Sequence, residues 1–224
     1  HIEFVQQKIQ EHVEWAMYVH CYAHRINLVT VDCCKSITDV SDFFALLQQL
    51  YNFIAGSYVH SSWIKLQQKV FPREMPIELK RLSDTRWTSQ IVACRAVQKR
   101  FEVVLKLLED ISEESHRERA FEARTIRQLL DIKFLYCLEF FSHLFRLLIG
   151  VSDTLQKKQI NMGVAIDLIK TTVEEVESIR NEDMSKTFFI NARAAAEKFK
   201  LKWDIISSKR KRIIPTKLAA GDMV

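Results

Sequence analysis

Apolar residues recur along most of the chain at steps of three and four, the period of an amphipathic helix. Ile37, Val40, Phe44, Leu47, Tyr51 and Ile54 form one such stripe. Trp87, Ile91, Cys94, Val97, Phe101, Val104, Leu108 and Ile111 form a second, which predicts one helix starting near Asp84 or Thr85, both capable caps. Ser36 and Asp39 in "SITD" resemble a capping box for the first stripe, with Asp in place of the usual Glu or Gln. From Thr125 to about Lys157 apolar residues cover most faces, which predicts a long helix in the middle of a bundle. Val164 to Ile179 and Phe188 to Phe199 read as two further amphipathic helices.

Two stretches break the helical period. At the start, "EFVQQKIQEHVEW" reads as a short helix with Phe4, Ile9 and Val13 on one face. "AMYVHC" follows it as a short run rich in strand formers, which predicts a buried strand. Phe71 to Asp84 holds two of the three prolines and reads as an internal connector. "SEESHRERAFEAR" is so highly charged that it reads as a solvated helix end or a loop. No repeat period stands out.

Composition sharpens this picture. Four glycines and three prolines in 224 residues are too few for the turns of a strand-rich fold, so a mainly helical chain is expected. With 48% hydrophobic residues it can bury a large core. The longest apolar run, Phe134 to Gly150, contains Glu139, His143 and Arg146, which suits a core helix better than a membrane span. No membrane association is expected. The first residue is His1 and no secretory leader pattern follows it, so the chain reads as a fragment or one lacking its natural start. Five cysteines, with Cys33 and Cys34 adjacent, give no disulfide framework and read as free thiols.

The formal charge is +5, but its location matters more. Lys198 to Lys217 carries eight basic residues against Asp204 alone, so that segment is +7 and the remainder is −2. "SSKRKRIIP", with Lys209, Arg210, Lys211 and Arg212, suits either a nuclear localisation patch or a phosphate-binding one. A solvated charge run at a domain end is the plain alternative.

Cys21 and His24 in "YVHCYAHRINLV" have the spacing of two zinc ligands. A structural zinc needs four, and no second close pair follows. A buried cysteine beside a hydrogen-bonded histidine is the simpler reading, so no metal site is assigned.

Three blocks in order carry a resemblance. The first is Cys21, Ala23, His24, Asn27, Leu28 and Val29. The second is "SDTRW", Ser83 to Trp87, with Asp84 and Arg86. The third is a leucine-rich block with Asp131, Phe134, Ser152, Leu155 and Gln156. Together they resemble the hAT superfamily of DNA transposases and their domesticated relatives, most closely the transposase-like region of TTF-type and zinc finger MYM-type proteins. The resemblance extends to about Pro215; residues 219–224 fall outside it.

The resemblance implies a mainly α chain: the end of an RNase H-like α/β core, one helix and one strand, followed by a large helical insertion. Residues 1–24 would close the incomplete core. Residues 25–205 would form the insertion domain, with the connector at 71–84, and 206–224 the basic tail. Cys21, His24, Asn27 and Asp84 would be structural motif positions. Family members cleave DNA with three carboxylates holding divalent metal such as magnesium. The first two would lie upstream of Cys21 and the third beyond the insertion, in a region that also makes the dimer contacts. Glu3, Glu11 and Glu14 read instead as a solvated helix face. No catalytic residue and no cofactor are therefore assigned within this chain.

For this chain the resemblance implies DNA handling in the nucleus. Arg86, Trp87 and the four tail residues 209–212 are the candidate contacts. The family's tryptophan at this position is linked to an unstacked base, while Trp87 also fits the head of a core stripe. The other reading is a non-catalytic helical module whose partner is a protein or a second copy.

Overall fold

The computed structural model describes residues 2–13, 15–16, 22–83, 87–155 and 161–202. Among these the chain is mainly α, with ten helices and no strand. The strand expected over "AMYVHC" falls almost wholly on residues 17–21, outside the described residues.

The opening helix, α1 (Ile2–His12), is present as expected. Of its expected apolar face, Ile9 is 51% exposed and Val13 half-buried. Next, α2 (Tyr22–Ser36) runs unbroken across residues 24 and 25, and α3 (Thr38–Ala55) carries the first stripe. The capping box between them does not form. Ser36 Oγ donates backward to the Cys33 carbonyl at 2.8 Å, and extended Ile37 takes the cap position with no side-chain bond. A serine at the end of one helix satisfies that helix's carbonyls before it can serve the next.

Then comes α4 (Ser57–Val70), which no stripe announced. Only Val59 and Trp63 are apolar on its buried face; the next position is Gln67, 1% exposed. That glutamine holds the connector. Its Nε2 donates to the Ile77 carbonyl at 3.1 Å, and its Oε1 accepts the Ile77 N–H at 2.8 Å. Trp63 Nε1 donates to the same carbonyl at 3.0 Å. Residues 71–83 are indeed irregular, and these bonds satisfy backbone groups that neither a helix nor a sheet would serve.

The second stripe is buried as expected: Ile91, Cys94, Val97, Phe101, Val104, Leu108 and Ile111 are all nearly inaccessible. It is carried by two helices, α5 (Trp87–Lys99) and α6 (Phe101–Ser112), not one. Arg100 is the reason. Its side chain, 3% exposed, turns inward to Gln67 Oε1 (3.0 Å), Glu74 Oε2 (2.8 Å) and the Met75 carbonyl (3.3 Å). Its guanidinium lies 4.4 Å from the centre of the Phe71 ring. A buried cation is tolerable only when paired and hydrogen-bonded, and the backbone gives up helical geometry at this residue (φ −117°, ψ 21°).

The charged stretch beyond α6 is mostly helix. In α7 (Arg117–Leu129), Ala120, Ala123 and Ile126 are buried at a three-residue step, so small side chains let a polar helix lie close on α6. The long helix expected from Thr125 therefore divides. Leu130 leaves helical geometry (ψ 73°), and the Asp131 carboxylate accepts the Phe134 N–H at 3.0 Å, capping α8 (Ile132–Leu155).

As expected of the bundle's middle, α8 packs against α2, α3, α5, α9 and α10. By length and composition alone it is long and apolar enough to cross a membrane, and 39% of its apolar window is buried within the structure. Phe43 and Phe44 of α3 meet Phe141, with centroids 5.6 and 4.9 Å away, while Phe101 lies between Phe134 (6.2 Å) and Phe199 (5.3 Å). Such pairs contribute about 0.5–1.5 kcal/mol each beyond area burial.

The last two helices, α9 (Met162–Ser178) and α10 (Glu182–Lys198), begin on asparagine caps. Asn161 accepts the Gly163 N–H and Asn181 the Met184 N–H, both at 2.8 Å. After α10, Lys200 adopts φ 52° so that the Leu201 N–H can bond back to the Ala196 carbonyl at 2.8 Å. This is a Schellman stop built on a lysine in place of the usual glycine. It aims the Lys202 carbonyl at the Ile132 N–H (3.2 Å), so the chain leaves α10 against the start of α8.

Candidate nucleic-acid interface

Cys21, Asp84, Arg86, Lys209, Arg210, Lys211 and Arg212 lie outside the described residues. His24 and Asn27 sit in the first two turns of α2, and Trp87 is the first residue of α5. What the structure places are the helices that carry the blocks: α2, α5 and α8 pack pairwise against one another. Three segments far apart in sequence thus meet in one part of the bundle.

Two bonds hold the end of the connector. The Leu82 N–H donates to Gln48 Oε1 of α3 at 3.0 Å, and the Ser83 N–H donates to Ser89 Oγ at 2.8 Å. A serine two residues inside α5 thereby holds the connector at Ser83. Beside this junction lies a cavity of about 270 Å³ between α2, α3 and α5, lined by Cys34, Lys35, Ser41, Leu82, Ser83 and Gln90 among others. Gln90 is 7% exposed and its Oε1 has no hydrogen-bond partner among the described residues. An unpaired buried acceptor of this kind costs about 1–3 kcal/mol. Its position in α5 gives no signal in the sequence, where it reads as an ordinary polar residue between stripe positions.

Besides exposed Cys33, three buried or half-buried free thiols stand on the same three helices: Cys34 on α2, Cys94 on α5 and Cys137 on α8. Burial, aided by neighbouring Cys33, pushes Cys34 up to about 11. Burial first, then Asp39 and Asp131, pushes Cys137 up to about 11. Burial also drives Cys94 well upward. Metal binding and nucleophilic attack both need the thiolate, and these environments favour the neutral thiol. Among the described residues no three His, Cys, Asp or Glu side chains are grouped to hold a metal ion.

Because folding raises these thiol pKa values, their contribution to stability is complete below the ordinary value of 9.0. It is lost as pH climbs through about 11. Denaturant midpoints measured between pH 8 and 11 should fall more steeply for the native chain than for a Cys34→Ala, Cys137→Ala variant. In the folded protein at pH 8, a thiol reagent should modify exposed Cys33 before Cys34, Cys137 and Cys94.

The polar cluster around Arg100 is not foreseen from the sequence. An arginine immediately before stripe residue Phe101 is its only trace. The cluster's partners are all supplied by the chain itself, and it braces the connector. In comparison with known proteins, no family model matches the chain and no solved structure matches it.

Proposed function

We propose that this chain is the helical part of a hAT-type transposase or a domesticated relative, associated with DNA in the nucleus. It would follow the end of an RNase H-like core and would be catalytically incomplete, the metal-holding acids being supplied outside it. The observation that supports this reading is the meeting of α2, α5 and α8, since blocks that serve one purpose should converge in space. Arg86 and Trp87, at the head of α5, would meet an unstacked base and its phosphate. Lys209, Arg210, Lys211 and Arg212 would add sequence-independent phosphate contacts. His24 and Asn27 would be structural positions of the motif. A complete family member would use magnesium or a similar ion, and no residue of this chain is given that role.

The test is a binding and cleavage pair. Fluorescence anisotropy with a labelled DNA hairpin should show salt-sensitive binding by the purified chain. Supercoiled plasmid should stay uncut with magnesium or manganese; nicking that is lost on Glu11→Gln or Glu14→Gln would contradict the incomplete-site reading.

One observation favours the other reading, a protein-interaction module. Two adjoining concavities of about 420 and 400 Å³ lie between α8 and α10, sharing Tyr136 and Ser185. Their walls include Phe140, Phe188, Phe189 and the 63% exposed Ile190. An aromatic groove of this kind suits an apolar protein segment. A chain that binds no DNA in the anisotropy test would leave this groove as the stronger feature.

A further inference from the structure

A cleft of about 390 Å³ runs between α3 and the turn joining α7 to α8. Phe43, Leu46 and Phe134 form its apolar floor, and Asp39, Asp42 and Asp131 stand around it with Lys133 as the single cation. Three carboxylates against one ammonium repel phosphate, so this cleft is no extension of a DNA surface. Its chemistry fits a segment with apolar and basic residues in succession.

This chain carries such a segment, and it starts at the cleft. The Lys202 carbonyl accepts the N–H of Ile132, whose neighbours Asp131 and Lys133 both line the cleft. Twenty-two residues follow Lys202, opening with Trp203, Asp204, Ile205 and Ile206 and reaching Lys209 to Arg212. Lys209 is seven positions beyond Lys202, a reach of about 23 Å when extended. The part of α3 that lines the cleft, Asp39 to Gln49, is about 15 Å long. The tether to the basic run is therefore longer than the stretch of α3 that lines the cleft.

We propose that this cleft is the docking site of the chain's own segment 203–212. Isoleucines 205 and 206 would meet the floor, and the four cations would meet Asp39 and Asp42. Attachment at Lys202 makes the encounter intramolecular, so a modest contact suffices at high effective concentration. The inference does not depend on DNA binding. If the basic residues also hold phosphate, docking and DNA would compete for them.

Zero-length carbodiimide coupling on the full chain tests this. The reagent joins a carboxylate and a lysine amine as an amide, with the carboxylate oxygen leaving on the urea by-product. Peptide mass spectrometry should find Asp39 or Asp42 joined to Lys209 or Lys211. In an equal mixture of ¹⁴N and ¹⁵N chains each joined pair should be isotopically uniform. The yield should fall several-fold in about 1 M salt, where the Debye length is about 3 Å, and in an Arg210→Gln, Arg212→Gln variant, which keeps both reactive lysines. Isotopically mixed pairs would overturn docking within one chain. Coupling of Lys209 and Lys211 spread evenly over distant carboxylates such as Glu175 and Glu182 would overturn the cleft itself.

Discussion

Trp63→Ala should cost about 4 kcal/mol of folding stability and lower Tm by about 8–16 °C for a chain of this size. Trp63 is 0% exposed and among the largest fully buried side chains. Its removal leaves a cavity between α4 and the connector and deletes the indole N–H bond to Ile77. The Ile77 carbonyl keeps Gln67 Nε2 as a partner, so the hydrogen-bond part of the loss is the smaller part. Trp63→Phe, which fills most of the space, should cost clearly less. A loss below about 1 kcal/mol for Trp63→Ala, read from denaturant melts, would show that α4 does not close the core as described.

Neutralising Lys209, Arg210, Lys211 and Arg212 to Gln should weaken binding to duplex DNA and flatten its salt dependence. Each phosphate that no longer meets a cation lowers the log–log slope by about 0.9, so the four substitutions together change it by about 3.6. Binding titrations at several salt concentrations measure that slope directly. An unchanged slope would place DNA binding elsewhere and leave the four residues as a sorting signal or a solvated charge run. Stability should change little in this variant, because none of the described core packing uses these residues and the docking proposed for them is a modest contact.

The sequence made the core legible and left its punctuation hidden. Stripe residues from Ile91 to Ile111 are buried because helical periodicity reports which face is wet. Periodicity is blind to a single residue such as Arg100, which breaks the helix while leaving the stripe in phase. The same holds at Leu130 and Asp131, where one apolar run continues across a helix stop. Helix α4 is hidden because the third position of its buried face is a glutamine. Gln67 is buried with tertiary bonds to Ile77 and Arg100, which no local pattern encodes. In α7 charge dominates the composition, while the buried face needs only two alanines and an isoleucine. Of the candidate site, the sequence offers the blocks and their order. The packing of α5 against α8 draws on the stripe of one and the apolar faces of the other, but α2 shows no stripe in the sequence and nothing local says which faces meet.

The most direct test of the DNA-handling role is a paired measurement on Trp87→Ala: a denaturant melt and a titration with single-stranded or hairpin-ended DNA. With Trp87 stacking on an unpaired base, DNA affinity should weaken by about 1–3 kcal/mol, while the melt changes little because an exposed ring leaves little cavity. Tryptophan quenching by DNA gives a quicker first reading. Trp15, Trp63 and Trp203 also emit, so only quenching that disappears in the Trp87 variant counts. A stability loss of about 3–5 kcal/mol with unchanged DNA affinity would contradict that role and make Trp87 one more core residue of the bundle.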